Sequence, residues 1–166
     1  MRIDNLTELP EWDDDEFLTE GDESEEWKPN PTRTLCKAMY QQWNNVMLVL
    51  KATLDNLTEP AEEDLFSREH IEDHKAMMLG DAFEVGDKII SSETGLYVIR
   101  MENAAIIRKH AQFIKNATNS FIADYLMEEE HRQMIRSEIN KFRELFKQWV
   151  ATFEKDDCED EWGLFI

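Results

Sequence analysis

Apolar and polar positions repeat at three- and four-residue steps over most of this chain, and most cleanly between Glu128 and Phe153. There Ile135, Ile139, Phe142, Phe146, Trp149, Val150 and Phe153 share one stripe at about 100° per residue, as in a helix with one face in a core. Glu128 and His131 continue that stripe with polar residues, and Arg132, Arg136, Arg143 and Lys147 line a flank. Upstream, Asn30 and Pro31 offer an N-cap and a first-turn proline. Cys36, Met39, Tyr40, Trp43, Val46, Met47, Leu50, Leu54 and Leu57 then predict a helix that Pro60 closes. The next segment carries Leu65, Ala76, Leu79, Phe83 and Ile90 on one face, with Ile71, Ala82, Gly86 and Ile89 alongside. Gly80 and Gly86 each cost about 1 kcal/mol against Ala in a helix and point to a close approach or a kink.

Ser91 to Gly95 reads as a turn. The third helix has a main stripe of Ile99, Ile106, Phe113, Ile114 and Ala117 and a second of Val98, Met101 and Ala105. That doubling suits a central helix or one that also meets a partner. Cap residues at Asn116–Ser120 and at Asp124–Glu130 both offer an end; the later break gives helices of comparable length and is preferred. Segments 31–57, 61–92, 96–126 and 128–155 with short connections predict an all-α, up-down-up-down four-helix bundle. An acidic N-terminal segment, 1–30, and a tail, 156–166, flank it.

Composition adds little to this picture, but charge changes it. Of the net −19, residues 1–30 hold twelve acids and two bases, and residues 154–161 six acids and Lys155. The remainder, nineteen acids against fifteen bases, is nearly balanced. A folded surface that imitates nucleic-acid phosphates would be acidic throughout, and one that binds nucleic acid would be basic, so both are disfavoured. Leu9, Trp12, Phe17, Leu18 and Trp27 scattered among the N-terminal acids predict a disordered or draped segment, solubilising or binding. No run of about 18 apolar residues and no signal-peptide pattern occurs. Cys36 on a core stripe and Cys158 in an acidic run do not form a disulfide framework. The expectation is a soluble cytoplasmic protein.

Bundles of this kind can house metals, so the ligand-type residues need placing. Glu128-x-x-His131 has the Glu-x-x-His spacing of di-iron bundles, and Asp124 is in phase with the third helix. Glu102 and His110 are further polar residues on or beside that helix's stripe. If the chain turns near Met127, His131 and His110 stand roughly 18 Å apart along the bundle, too far for one centre. No second Glu-x-x-His occurs, and His70 and His74 share a face with Asp81 and Lys88 that reads as solvated. An iron, manganese or zinc bundle is therefore the alternative reading, with no cofactor as the primary one. No Gly-rich phosphate loop occurs, and no nucleophile stands beside a base at a recognised spacing.

A non-enzymatic interaction or regulatory protein is the expectation that remains, acting on a protein partner or on itself, with neither nucleic acid nor membrane. Its candidate contacts are the strip Arg132, Arg136, Arg143 and Lys147, which can receive carboxylates from the chain's tails or a partner, and the apolar terminus Trp162, Leu164, Phe165 and Ile166. That terminus is expected to dock on its own bundle, since burying each such side chain is worth roughly 1.5–3 kcal/mol.

Overall fold

A computed structural model describes residues 8–14, 30–61, 64–157 and 160–165. These form four helices, α1 (Pro31–Asp55), α2 (Leu65–Ile90), α3 (Tyr97–Ala123) and α4 (Glu129–Val150), in an up-down-up-down bundle. The packing of α1 on α4 and of α2 on α3 is the most extensive, and α3 and α4 touch least of the four neighbouring pairs. No strand occurs among the described residues, and no helix there is long and apolar enough to cross a membrane.

Local chemistry explains where the helices begin and end. The Asn30 side chain accepts the Arg33 N–H at 3.0 Å with Pro31 in the first turn, and Asp64 caps α2 through the Ser67 N–H at 3.0 Å. Capped first turns satisfy amides that have no partner within the helix. Leu96 and Glu128, which precede α3 and α4, make no side-chain cap. Asp156 in the C-terminal segment supplies the missing acceptor for α3, taking the Tyr97 N–H at 2.8 Å. Glu129 and Glu130 place negative charge in the first turn of α4, where the helix dipole favours it.

At the end of α3, Tyr125 adopts a left-handed φ of 58°. The Leu126 N–H reaches the Phe121 carbonyl at 2.8 Å and the Tyr125 N–H the Ile122 carbonyl at 3.1 Å, a Schellman closure. The α3–α4 turn is tied to the α1–α2 connection by the Thr58 N–H on the Leu126 carbonyl at 2.9 Å. At the other end of the bundle, the Thr32 hydroxyl donates to Thr152 Oγ1 at 2.8 Å, joining the start of α1 to the end of α4.

The α1 stripe is buried as its pattern predicts, from Cys36 to Leu54, with Leu57 half-buried. Trp43 is fully enclosed: its indole N–H donates to the Ala82 carbonyl at 2.7 Å and its ring lies 4.7 Å from that of Phe142. On α4, Ile135, Ile139, Phe142 and Trp149 enter the core. The buried faces of α2 and α3 are rotated from their expected stripes. Met78, Ala82, Val85 and Ile89 carry α2, while Leu79, Phe83 and Ile90 are half-buried. Ala104, Ile107, Ala111, Ile114, Thr118 and Phe121 carry α3, and Ile99 is exposed. Both helices have apolar residues on two sides, so periodicity alone leaves the choice of inner face open.

Candidate functional site

The α3–α4 face combines an apolar floor with concentrated positive charge. A crevice of about 60 Å³ between the two helices has Ala111, Ile139, Phe142 and Phe146 below and Arg108, Lys115 and Arg143 at its rim. The Lys115 ammonium donates to Asn140 Oδ1 at 3.2 Å. Burial, then the guanidiniums of Arg143 and Arg136, hold its pKa below the ordinary lysine value. Arg136 donates to Asn119 Oδ1 at 2.9 Å, and Arg132 donates to the same oxygen at 2.9 Å and to Glu129 at 2.5 Å. The buried Nε–H groups of Arg132 and Arg136 have no hydrogen-bond partner among the described residues. Further along α4, Arg143 and Lys147 converge on Glu144, at 3.6 and 3.1 Å. The strip anticipated on α4 thus divides: its first two cations turn toward α3, and its last two share one acid.

Two acids of the flanking segments, Asp14 and Asp156, have partners away from this strip. Asp14 pairs with Lys37 of α1, with oxygens at 2.7 and 2.8 Å from Nζ, and its carbonyl accepts from Arg33 at 2.6 Å. The Lys37 hydrogen bond draws the Asp14 pKa below the usual carboxylate value. Asp156 goes to α3, as above.

The ligand-type residues are not assembled into a metal centre. Among the described residues no group of three or more His, Cys, Asp and Glu is placed to hold an ion. Asp124 and Glu128 occupy helix-end positions and are exposed, and His131 is partly buried in the first turn of α4. Glu128 therefore does not continue the core stripe; it stands outside the helix with an extended backbone. Glu102 is partly buried. His110 lies between two carboxylates of α2, with Nδ1 3.0 Å from Asp81 and Nε2 3.5 Å from Glu84, a polar clasp across the α2–α3 seam. His74 is not on a solvated face: its ring stacks 4.9 Å from Phe121. Burial first, then His70, hold its pKa below the ordinary histidine value, against an opposing pull from Asp124.

At the C-terminus, Trp162 and Leu164 are 89 % and 66 % exposed, so the expected self-docking is not met at either residue. Phe165 is partly buried, and Ile166 lies outside the described residues. The segment instead folds on itself: Asp160 accepts the N–H groups of Trp162 and Phe165 at 3.0 and 3.1 Å, and that of Leu164. Satisfying these amides locally requires a tight turn that leaves Trp162 and Leu164 outside.

Sequence reasoning missed a buried charge cluster where α1, α2 and α3 meet. Glu93 is 3 % exposed and receives the Arg33 Nε–H, while Arg100 donates to the Ser92 and Glu93 carbonyls at 3.1 and 3.0 Å. Beside it the Cys36 thiol donates to the Ile89 carbonyl at 3.1 Å, and burial, reinforced by the Glu93 charge, pushes its pKa up to about 12. A glutamate inside a Ser-Ser-Glu-Thr-Gly turn carries no signal of burial.

Comparison with protein families, with curated protein sequences and with solved structures returns no match.

Proposed function

We propose that this protein is a non-enzymatic interaction bundle whose α3–α4 face receives an acidic segment of a protein partner. The observation that carries this reading is Lys115. It is a partly buried ammonium whose charged neighbours are Arg136 and Arg143, and no carboxylate is paired with it among the described residues. A chain of net charge −19 has acids to spare, yet none of the described ones pairs with Lys115, and Arg143 beside it has only a 3.6 Å contact with Glu144, which it shares with Lys147. An incoming carboxylate gains from relieving that repulsion, and the crevice beside it accepts a small apolar side chain. Charge of this kind mainly sets association rate and specificity. Nucleic acid and membrane are not part of the proposal, since the folded region as a whole is not basic. Cytoplasmic residence is part of it, in keeping with the free, buried Cys36.

The test is a titration of isotope-labelled protein with a short Asp/Glu-rich peptide carrying one Leu. Amide shifts are expected to centre on Lys115, Asn140 and Arg143 and to weaken as salt shortens the screening length from about 10 Å at 0.1 M to about 3 Å at 1 M. Lys115→Glu with Arg143→Glu is expected to remove them. Shifts scattered over the bundle, or tighter binding of a single-stranded oligonucleotide to the same face, would overturn the reading.

A further inference from the structure

Residues 8–14 lie across α1 and α2, on helices other than those of the face just described, and they are held as a bound peptide would be. The Leu9 side chain fills a notch at Gly86: a Cβ placed there would stand 2.4 and 2.8 Å from the two Leu9 methyl carbons. The Pro10 carbonyl accepts the Tyr40 hydroxyl, and the Trp12 ring lies 5.5 Å from the Tyr40 ring. Asp14 closes the sequence on Lys37 and Arg33. Leu9 and Trp12 turn inward, while Glu8, Pro10, Glu11 and Asp13 are exposed. Every anchor comes from one contiguous stretch, and each meets a feature built into a helix.

The connection to α1 does not enforce this arrangement. Asp14 sits beside Arg33 and Lys37, at most seven residues past Asn30, or roughly 10 Å along the helix. The fifteen intervening residues can reach about 50 Å when extended. Specific contacts, not a short leash, therefore seat residues 8–14.

We propose that the α1–α2 groove is a linear-peptide site, filled here by the chain's own Leu9-Pro10-Glu11-Trp12-Asp13-Asp14. Its external ligand is a segment of a partner protein with the same spacing: an aliphatic residue, an aromatic residue three positions on, and an acid two positions beyond that. The Gly86 notch selects the aliphatic residue, Tyr40 reads both a carbonyl and the aromatic ring, Lys37 reads the acid, and Arg33 holds the backbone carbonyl of that acid. The internal segment competes with that ligand, so the site opens only to a partner that outbids a tethered copy.

The probe is a capped synthetic peptide of residues 8–14, titrated by calorimetry into two full-length proteins. One is wild type; the other carries Leu9→Ala, Trp12→Ala and Asp14→Ala, which empties the groove. A tether supplies an effective concentration on the order of 1 mM, so a peptide whose own Kd is about 100 µM should bind wild type about tenfold more weakly than the triple variant. Adding Gly86→Ala to the triple variant should abolish binding while keeping its helical circular dichroism, because the new methyl occupies the Leu9 notch. Equal affinity for both proteins, no saturable binding to a folded triple variant, or binding that survives Gly86→Ala would each overturn the proposal. Should the triple variant unfold, wild type answers the same question. Excess unlabelled peptide must then shift the amides of the protein's own Leu9 and Trp12, which leave the groove, and unmoved signals from these two residues would refute the site.

Discussion

Cutting the Arg33–Glu93 pair from either side should give unequal losses, because the two groups differ in access to water. The Glu93 side chain is 2 % exposed and the Arg33 side chain 33 %. Arg33→Met strands a carboxylate that water cannot reach; Arg100 stands close by, but its guanidinium is committed to backbone carbonyls. Breaking a buried pair in this way costs 3–5 kcal/mol, and the neighbouring Arg100 charge sets the expectation at the lower end, about 3 kcal/mol. Glu93→Gln keeps an acceptor of the same shape, and the remaining guanidinium holds the Asp14 carbonyl and faces solvent on one side, so about 1 kcal/mol is expected. Replacing both, as Arg33→Met with Glu93→Leu, should cost less than Arg33→Met alone, since no charge is left stranded. Urea unfolding at neutral pH measures this directly. With a slope of about 1–3 kcal/mol per molar, the Arg33→Met midpoint should fall by about 1 M or more. A Glu93→Gln loss as large as that of Arg33→Met would refute the reasoning, since it would show that access to water does not decide the cost.

Other outcomes follow from the same side chains. The unfolded chain binds more protons than the folded one between the depressed His74 pKa and about 6.5, so stability should fall as pH drops through that window. Urea midpoints of His74→Phe should show a smaller fall, and an unchanged slope would remove His74 as the cause. Asp156→Ala should lower stability by about 0.5–2 kcal/mol through the lost α3 cap, whereas Trp162→Ala with Leu164→Ala should leave the melting temperature unchanged. A lower value for that double variant would mean that Trp162 or Leu164 packs on the bundle. Tyr125→Gly should raise the melting temperature, because a left-handed non-glycine residue costs roughly 1–2 kcal/mol and Tyr125 is exposed; a lower value would show that its ring packs on a neighbour. Cys36 should resist thiol reagents in the folded protein and react on unfolding, and prompt native labelling in a Cys158→Ser background would contradict its burial.

The bundle was legible because α1 and α4 each bury one clean stripe, and because Asn30-Pro31 marks a start in local chemistry that needs no tertiary information. The inner faces of α2 and α3 were less so: Met78 and Val85 are core residues on a helix whose Leu79 and Phe83 look equally apolar. What one sequence does not contain is which acid meets which base. Asp14 with Lys37, Asp156 with the Tyr97 amide, and Glu93 with Arg33 are separated by 23, 59 and 60 positions. Their pairing depends on how the helices are laid side by side. The α4 cations were visible as a row, but Lys115, which turns that row into a site, stands on the neighbouring helix.

The hydrogen bond from Thr32 to Thr152 and the cap that Asp156 places on Tyr97 have a consequence for biosynthesis. A chain leaving the ribosome presents α1, α2 and α3 well before residues 149–156 emerge. Until then α1 lacks its most extensive neighbour, and the first turn of α3 has an amide without its acceptor. The growing polypeptide should therefore remain protease-sensitive until α4 and Asp156 arrive. Chains that stall before Asp156 should be cleared by cellular proteolysis, although α1, α2 and α3 have been made.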